Sequence, residues 1–242
     1  MKIGITCYPV YGGSGVVATE LGIALARRGH EVHFITYAQP FRLSYFHERV
    51  YYHEVEIPTY PLFDHPPYSL ALTVAQHNAA VQHGLDLLHV HYAVPHATSA
   101  WMAKQMLGRD DFKIVTTLHG TDITLVGQDP SFHAITRFSI QRSDGLTAVS
   151  EYLRRETVSH FDVPPEAIEV IPNFVDLDAY RRDREPCHRS KLAGPEEKIL
   201  MHISNFRPVK RVEDVVRVFA RVNRRLPARL VLIGDGPERG RA

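Results

Sequence analysis

Residues 113–122 read KIVTTLHGTD and join an apolar, β-branched run to a polar loop. The run predicts a short strand over Lys113–Leu118, because three apolar residues and two threonines favour extended backbone. His119–Asp122 follows without an apolar residue. In an open α/β sheet, ligands bind just outside the carboxyl ends of the parallel strands. The stretch therefore predicts an α/β fold with a functional loop at His119–Asp122.

The N-terminal segment has the same strand-loop-helix pattern. Strands are predicted at 2–7 (KIGITC) and 31–36 (EVHFIT), with a helix over 16–28 between them. The glycine-rich loop 11–15 precedes this helix, and backbone N–H groups at a helix N-terminus can bind an anion. A tight turn without a ligand is the alternative. The spacing is not G-x-G-x-x-G and no acidic residue ends the second strand, which argues against a dinucleotide site.

Polar residues also follow two later strands. Tyr92 comes after the strand at 86–91 and is either a ligand contact or a structural tyrosine. Ser150 comes after the strand at 145–149, and a helix N-cap is the simpler interpretation of it. The pattern predicts a doubly wound parallel sheet, with a first domain over residues 1–173. Its other predicted elements are strands at 51–57 and 168–171 and helices at 69–84, 97–106, 132–143 and 151–160.

A second β-α-β pattern begins after residue 198. Residues 174–198 are charged, contain two prolines and lack periodicity, which predicts a linker or hinge with a short helix. The loop 205–211 (NFRPVKR) is either a solvated basic turn or a diphosphate site, since Arg and Lys offset phosphate charge. Two strands and one helix cannot cover their own faces. We therefore expect residues 199–242 to be the incomplete start of a second domain.

Composition limits the possible partners and compartments. The chain has 242 residues, 44% of them hydrophobic, and a net charge of +1, which is typical of a soluble globular protein and argues against nucleic-acid or membrane partners. Cys7 and Cys187 give no disulfide framework, although a lone disulfide stays open, and a reducing cytoplasm fits best. The 15 histidines are scattered, so their spacing predicts no metal site. A homo-oligomer stays possible.

Several segments resemble the retaining GT-B glycosyltransferases, and they extend over nearly the whole chain. More narrowly, CYPVYGGSGVVATELG, YAQPFRL, HVHYAVPHA and SNFRPVKR resemble the branch that glycosylates L-malate in bacillithiol biosynthesis. The resemblance implies two Rossmann-like, doubly wound domains that face a cleft, with the second domain truncated. The wider family usually has arginine where Asn205 stands. The segments shared with the wider family are GGSG, LHGTD, AVSEYLRRET, VIPNFVD, SNFRPVKR and LIGDGPE.

The resemblance also implies substrates and site residues. The donor would be UDP-N-acetylglucosamine, the acceptor would be the hydroxyl of L-malate, and His119 would contact the transferring sugar. Retention is expected by front-face attack, in which the leaving phosphate takes the acceptor proton. That route needs no protein nucleophile, cofactor or metal. The implied donor-binding residues are Gly13, Gly15, Asn205, Arg207 and Lys210, and the implied acceptor-binding residues are Ser14, Tyr92, Thr121 and Ser150.

Alternatives to this interpretation stay open. Two glutamates that bind the donor in this family lie beyond the end of the present chain, so we expect the 242-residue chain to be inactive alone. Other possibilities are a GT-B transferase with a different acceptor, a non-hydrolysing sugar-nucleotide epimerase, or an inactive ligand-binding homologue. A NAD-dependent dehydrogenase fits least well.

Overall fold

The computed structural model describes residues 1–57, 64–181 and 187–241. The chain divides into two compact units, Met1–Phe174 and Val175–Ala242, each built on its own sheet. The segment predicted as a linker, 174–198, falls almost wholly in the second unit, and part of it lies outside the described residues. Its described part contains the short helix α6 (Arg189–Leu192).

The first unit contains a seven-stranded parallel sheet. The strand order is β3-β2-β1-β4-β5-β6-β7, so the order reverses between β1 and β4. Such a reversal opens a crevice at the carboxyl ends of the two strands, where open α/β sheets bind ligands. The strands are β1 (Lys2–Thr6), β2 (Glu31–Thr36), β3 (Val50–Glu54), β4 (Leu87–His91), β5 (Lys113–Leu118), β6 (Gly145–Ala148) and β7 (Ile168–Val170).

Helices cover both faces of this sheet, because consecutive strand residues point to opposite sides. Phe34 packs with Ala18 of the first helix on one face, while its neighbour Ile35 packs with Leu72 of the second helix on the other. Burying each such large apolar side chain contributes about 1.5–3 kcal/mol. The helices are α1 (Gly13–Arg27), α2 (Tyr68–His83), α3 (Thr98–Leu107), α4 (Pro130–Gln141) and α5 (Glu151–Phe161).

Two short helical turns follow the carboxyl ends of adjacent strands. Ala93–Ala97 follows β4, and Asp122–Val126 follows the polar loop after β5. Both turns therefore lie at the carboxyl ends of the parallel strands, where the sequence predicts function. They position the side chains of the candidate site.

The second unit is built on two parallel strands, β8 (Lys198–Ile203) and β9 (Ala228–Ile233). Helix α7 (Val212–Asn223) connects them and carries acidic residues in its first turn, which complement the helix dipole. The sheet leaves large apolar side chains exposed, including Met201, Ile203 and Ile233.

Two further expectations concern thiols and membranes. Cys7 is buried and Cys187 is exposed, and both are free thiols. Within the described ranges, no helix combines the length and apolar character needed to cross a bilayer.

Candidate functional site

The carboxylate of Asp122 organises the loop after β5. Its Oδ1 accepts the backbone N–H groups of His119 at 3.2 Å and Gly120 at 2.9 Å. Its Oδ2 accepts the N–H of Ala93, in the turn after β4, at 3.4 Å. Asp122 is 2% exposed, and burial raises its pKa to about 6 against the opposing effect of these backbone donors. One side chain thus ties together the loops that follow two adjacent strands.

The ring of His119 is held by His91, the last residue of β4. His91 Nδ1 lies 2.7 Å from His119 Nε2, and the rings stack with centroids 5.0 Å apart. Burial lowers the pKa of His119 to about 4 and that of His91 well below its ordinary value. Both imidazoles are therefore neutral at pH 7, and a single proton occupies the contact between them.

The position of that proton follows from the other nitrogen of His91. His91 Nε2 is buried and has no hydrogen-bond partner among the described residues. A buried N–H without an acceptor is rarer in folded proteins than an unused lone pair, so Nε2 is assigned as the unprotonated nitrogen. His91 then donates from Nδ1 to His119, and His119 carries its own proton on Nδ1. His119 can thus donate a neutral N–H bond to a ligand oxygen.

Tyr92 and Thr121 lie beside this histidine pair. The ring centroids of Tyr92 and His119 are 5.4 Å apart, and Thr121 Oγ1 donates to the Tyr92 hydroxyl at 3.4 Å. Tyr92 has φ +88°, a conformation that costs a non-glycine residue about 1–3 kcal/mol and is concentrated at functional sites. The structure therefore brings together three of the residues singled out in the sequence.

The glycine-rich loop forms the N-terminus of α1, which begins at Gly13. Among the described residues no side chain caps this helix, so its first N–H groups remain available to an anion. A Cβ on Gly15 would lie 2.3 Å from the carbonyl oxygen of Tyr8, whereas one on Gly13 would meet no described heavy atom within 4 Å. Ser14 lies between them and is half-buried. The Tyr8 ring lies 5.3 Å from that of Tyr92, which joins the loop to the histidine cluster.

Ser150 is not brought into this cluster by any contact of the described residues. Its Oγ accepts the N–H of Leu153 at 3.2 Å and caps α5. The cap anticipated from the sequence is present, and a role in acceptor binding stays a prediction.

Asn205, Arg207 and Lys210 lie together on the connection from β8 to α7 in the second unit. The side chains of Arg207 and Lys210 are exposed, and neither forms an ion pair within the described part of the chain. Asn205 Oδ1 is buried and has no partner among the described residues. A Cβ on Gly236 would lie 2.1 Å from the Asn205 carbonyl oxygen, so the loops after β8 and β9 pack backbone against backbone.

The sequence placed Asp122 in the predicted functional loop without a specific role, and it gave no role to His91 or Tyr8. Asp122 carried a usable signal, because an aspartate often accepts backbone N–H groups of its own turn. His91 and Tyr8 carried a weaker signal, since His91 ends β4 and Tyr8 follows β1 by two residues, and both strands flank the crevice. Their partners are distant in sequence and appear only when the sheet is assembled.

Similarity to known proteins agrees with this architecture. A Bacillus anthracis protein named N-acetyl-alpha-D-glucosaminyl L-malate synthase is 52% identical over 239 residues, which are 98% of this chain and 62% of that protein. The present chain thus spans less than two thirds of that relative's length.

Solved structures reproduce the fold at low sequence identity. A glycosyltransferase from Rickettsia africae ESF-5 has a TM-score of 0.72 and 16% identity, over 97% of this chain and 60% of its own. A UDP-GlcNAc 2-epimerase from Neisseria meningitidis bound to UDP-GlcNAc has a TM-score of 0.61 and 13% identity, over 96% and 65%. These likenesses confirm the α/β, GT-B type fold expected from the sequence.

The profile of Glycosyltransferase Family 4 matches residues 11–179, a span that includes the glycine loop, the His119 loop and Ser150. With the fold and the close relative, this match shows that the chain belongs to Glycosyltransferase Family 4.

Proposed function

We propose that this protein transfers N-acetylglucosamine from UDP-N-acetylglucosamine to the hydroxyl of L-malate, with retention of the α configuration. The observation that carries the proposal is the 52% identity, over 98% of the chain, to the Bacillus anthracis protein named N-acetyl-alpha-D-glucosaminyl L-malate synthase. The name of that relative gives only its product, and the donor, the acceptor and the stereochemistry are part of the proposal for this chain.

The histidine cluster supports the sugar-binding part of the proposal. His119 is neutral at pH 7 and offers an N–H donor, which suits a sugar hydroxyl or carbonyl oxygen better than a phosphate. Thr121 and Tyr92 add hydroxyl groups within 3.4 Å of each other. Together they provide polar groups for an acceptor such as a hydroxy acid, and Ser14 and Ser150 are proposed as further acceptor contacts.

Two loops are proposed to bind diphosphate, each on its own sequence pattern: the glycine-rich loop 11–15 and the basic loop 205–211. In the first unit, Gly13 and Gly15 are proposed to present the N–H groups of the α1 N-terminus. In the second unit, Arg207 and Lys210 are proposed to supply positive charge. The buried Oδ1 of Asn205 has no partner among the described residues. Rotation of the carboxamide would place its NH₂ group at that position, where it could donate a hydrogen bond to the donor.

In the proposed step, the malate hydroxyl attacks the anomeric carbon from the face that UDP leaves. The bond from that carbon to the phosphate oxygen breaks, and this oxygen takes the hydroxyl proton. No protein nucleophile, cofactor or metal is required, since cations and backbone N–H groups stabilise the departing charge. A cytoplasmic location is part of the proposal and is supported by the two free thiols.

The first test is calorimetric titration of the 242-residue chain with L-malate, with D-malate as the control ligand. Stereoselective binding that Thr121→Val weakens would support the acceptor assignment. Equal binding of the two enantiomers by a folded chain, or no binding, would contradict it.

Turnover tests the reaction class. For a longer protein whose second domain is complete, given UDP-N-acetylglucosamine and L-malate, we expect UDP release that depends on malate and a product whose anomeric proton reports the α configuration by NMR. The 242-residue chain alone should release no UDP. UDP release with other hydroxyl acceptors instead would indicate a different transferase. Conversion of the donor to its 2-epimer without any acceptor would indicate an epimerase.

A further inference from the structure

Three histidines converge on the α2 face of the first sheet, away from the loops that carry His119. His33 lies on β2, His53 on β3 and His83 at the end of α2. One nitrogen of each ring lies within 4.8 Å of those of the other two. The His33 side chain is 1% exposed and the others are half-buried. We propose that His33, His53 and His83 form a binding site for a divalent transition-metal ion, represented by Zn²⁺.

The topology of the sheet creates this cluster. His33 pairs in register with Tyr51 of the parallel neighbour, and His53 stands two residues further along that strand. Residues two apart on a strand share a face, so His33 and His53 lie side by side. Helix α2 crosses the same face and ends at His83. The histidines are too far apart in sequence for spacing to predict a site.

Glu31 provides the second shell expected of a metal-bound histidine. Its carboxylate Oε1 lies 2.9 Å from His33 Nε2, and an ionised carboxylate only accepts hydrogen bonds. His33 therefore carries its proton on Nε2 and directs the Nδ1 lone pair toward His53 Nε2, 2.8 Å away. A carboxylate that fixes the tautomer and orientation of a ligating imidazole recurs in metal sites.

In the metal-free protein, His53 must donate from Nε2 to His33 Nδ1. A bound ion would take the place of that proton, and His53 would carry its proton on Nδ1 instead. Zn–N bonds of about 2.0–2.1 Å in a tetrahedral site separate two ligand nitrogens by about 3.4 Å. The 2.8 Å contact must therefore open slightly and the widest separation, up to 4.8 Å, must close, both by side-chain rotation. Three imidazoles leave a fourth position for water.

The electrostatics suit a transition metal. Burial, with smaller contributions from His33 and His83, lowers the pKa of His53 to about 4, so its imidazole is neutral and can ligate at neutral pH. Burial likewise lowers the pKa of His33. Lys2 lies 3.5 Å from Glu31 and donates to the His83 carbonyl oxygen, so one cation and one carboxylate flank the cluster. Imidazole ligands favour zinc, cobalt, nickel or copper over magnesium or calcium.

Occupancy would join three elements at the margin of the sheet. β3 is the edge strand, and β2 is its strand neighbour. A metal ion bound by residues of β2, β3 and α2 would hold this edge of the sheet against α2. The expected role is therefore structural, with no part in the proposed sugar transfer.

The test is Zn²⁺ binding by the chelator-stripped 242-residue chain, measured by competition with a chromophoric chelator. We expect one ion per chain, and we expect His53→Gln and His83→Gln each to weaken affinity at least tenfold. Glu31→Gln should weaken it about 10–100-fold through the second shell. The matched control is His77→Gln, also on α2, which hydrogen-bonds its neighbour Asn78 and should leave affinity unchanged.

Two further measurements test whether the bound ion has histidine ligands and whether it stabilises the fold. Co²⁺ bound to the wild-type chain should give the visible absorption of a four-coordinate nitrogen-rich site, and Zn²⁺ should raise the melting temperature of the wild type but not of His83→Gln. Circular dichroism establishes that each variant is folded. Affinity that is unchanged in both His53→Gln and His83→Gln, or that is lost in Cys187→Ser, would overturn the proposal.

Discussion

At the scale of single residues, the carboxylate of Asp122 connects the loops that follow β4 and β5. Its two oxygens accept three backbone N–H groups, from His119, Gly120 and Ala93. In Asp122→Asn one oxygen becomes an NH₂ group that faces a donor, so at least one buried N–H loses its partner. We expect the free energy of unfolding to fall by about 1–3 kcal/mol, measured by urea titration.

The matched control for this substitution is Asp129→Asn. Asp129 is exposed and caps α4 by accepting from Ser131 N at 2.8 Å, and asparagine caps helices about as well. Its unfolding free energy should therefore stay close to that of the wild type. Equal losses in the two variants would contradict the role assigned to Asp122.

The buried histidines predict a loss of stability in acid. Burial lowers the folded-state pKa of His89, His96 and His119 from the usual 6.5 to about 4. The unfolded chain therefore binds more protons between about pH 4 and 6.5, and stability rises with pH across that window. Asp122, with its pKa raised to about 6, acts in the opposite direction, but it is a single group.

The urea midpoint followed by the fluorescence of Trp101, the single tryptophan, should thus fall steadily from pH 7 to pH 4. The variant His96→Gln removes one buried imidazole and should reduce the proton uptake on unfolding at pH 5 by up to one. A midpoint that is flat over this range, or that rises in acid, would contradict the assignment of neutral buried histidines.

At the scale of elements, two glycines at the start of α1 form a matched pair. A Cβ on Gly15 would approach the carbonyl oxygens of Tyr8 and Val10 to 2.3 and 2.8 Å, and backbone cannot move aside cheaply. We expect Gly15→Ala to lower the free energy of unfolding by about 1–3 kcal/mol. Gly13→Ala enters space free of described atoms and should raise it by up to about 1 kcal/mol, because alanine favours the helix. The free energies of unfolding of both variants are measured by urea titration. Equal decreases in the two variants would show that contact with the Tyr8 loop does not cause the loss of stability in Gly15→Ala.

Elements with strong periodicity could be predicted closely from the sequence. The strands predicted at 31–36 and 113–118 have those bounds in the structure, because each alternates or runs apolar between clear polar limits. The first helix begins at Gly13, three residues before the predicted start at 16. The glycine loop hides that start, since glycine provides neither apolar periodicity nor a side-chain cap signal.

The candidate site could be predicted in part. His119 and Tyr92 were found because they follow strands, and the carboxyl ends of parallel strands meet at one edge. The hydrogen bond between His91 and His119 depends on the register in which β4 pairs with β5. Neither strand's sequence predicts that register by itself. The same holds for His33 and His53, whose contact depends on the pairing of β2 with β3.

At the scale of the whole molecule, the two units differ in how much apolar surface they bury. The first has a seven-stranded sheet with helices on both faces, and side chains such as Phe34 and Leu88 are fully buried. The second has two strands, and Ile203 and Val209 remain 67% and 76% exposed. Since buried apolar area is the main favourable contribution to folding, local stability should differ between the units.

Hydrogen exchange read by mass spectrometry tests this difference directly. Amides of β8 and β9 should exchange much faster than those of β1, β4 and β5, because opening a two-stranded sheet exposes little further apolar surface. In urea, the far-ultraviolet dichroism should then begin to change before the fluorescence of Trp101, which packs against Phe138 in the first unit. Coincident transitions together with uniform protection would mean that the chain unfolds as one cooperative body, which would contradict the predicted difference in local stability between the two units.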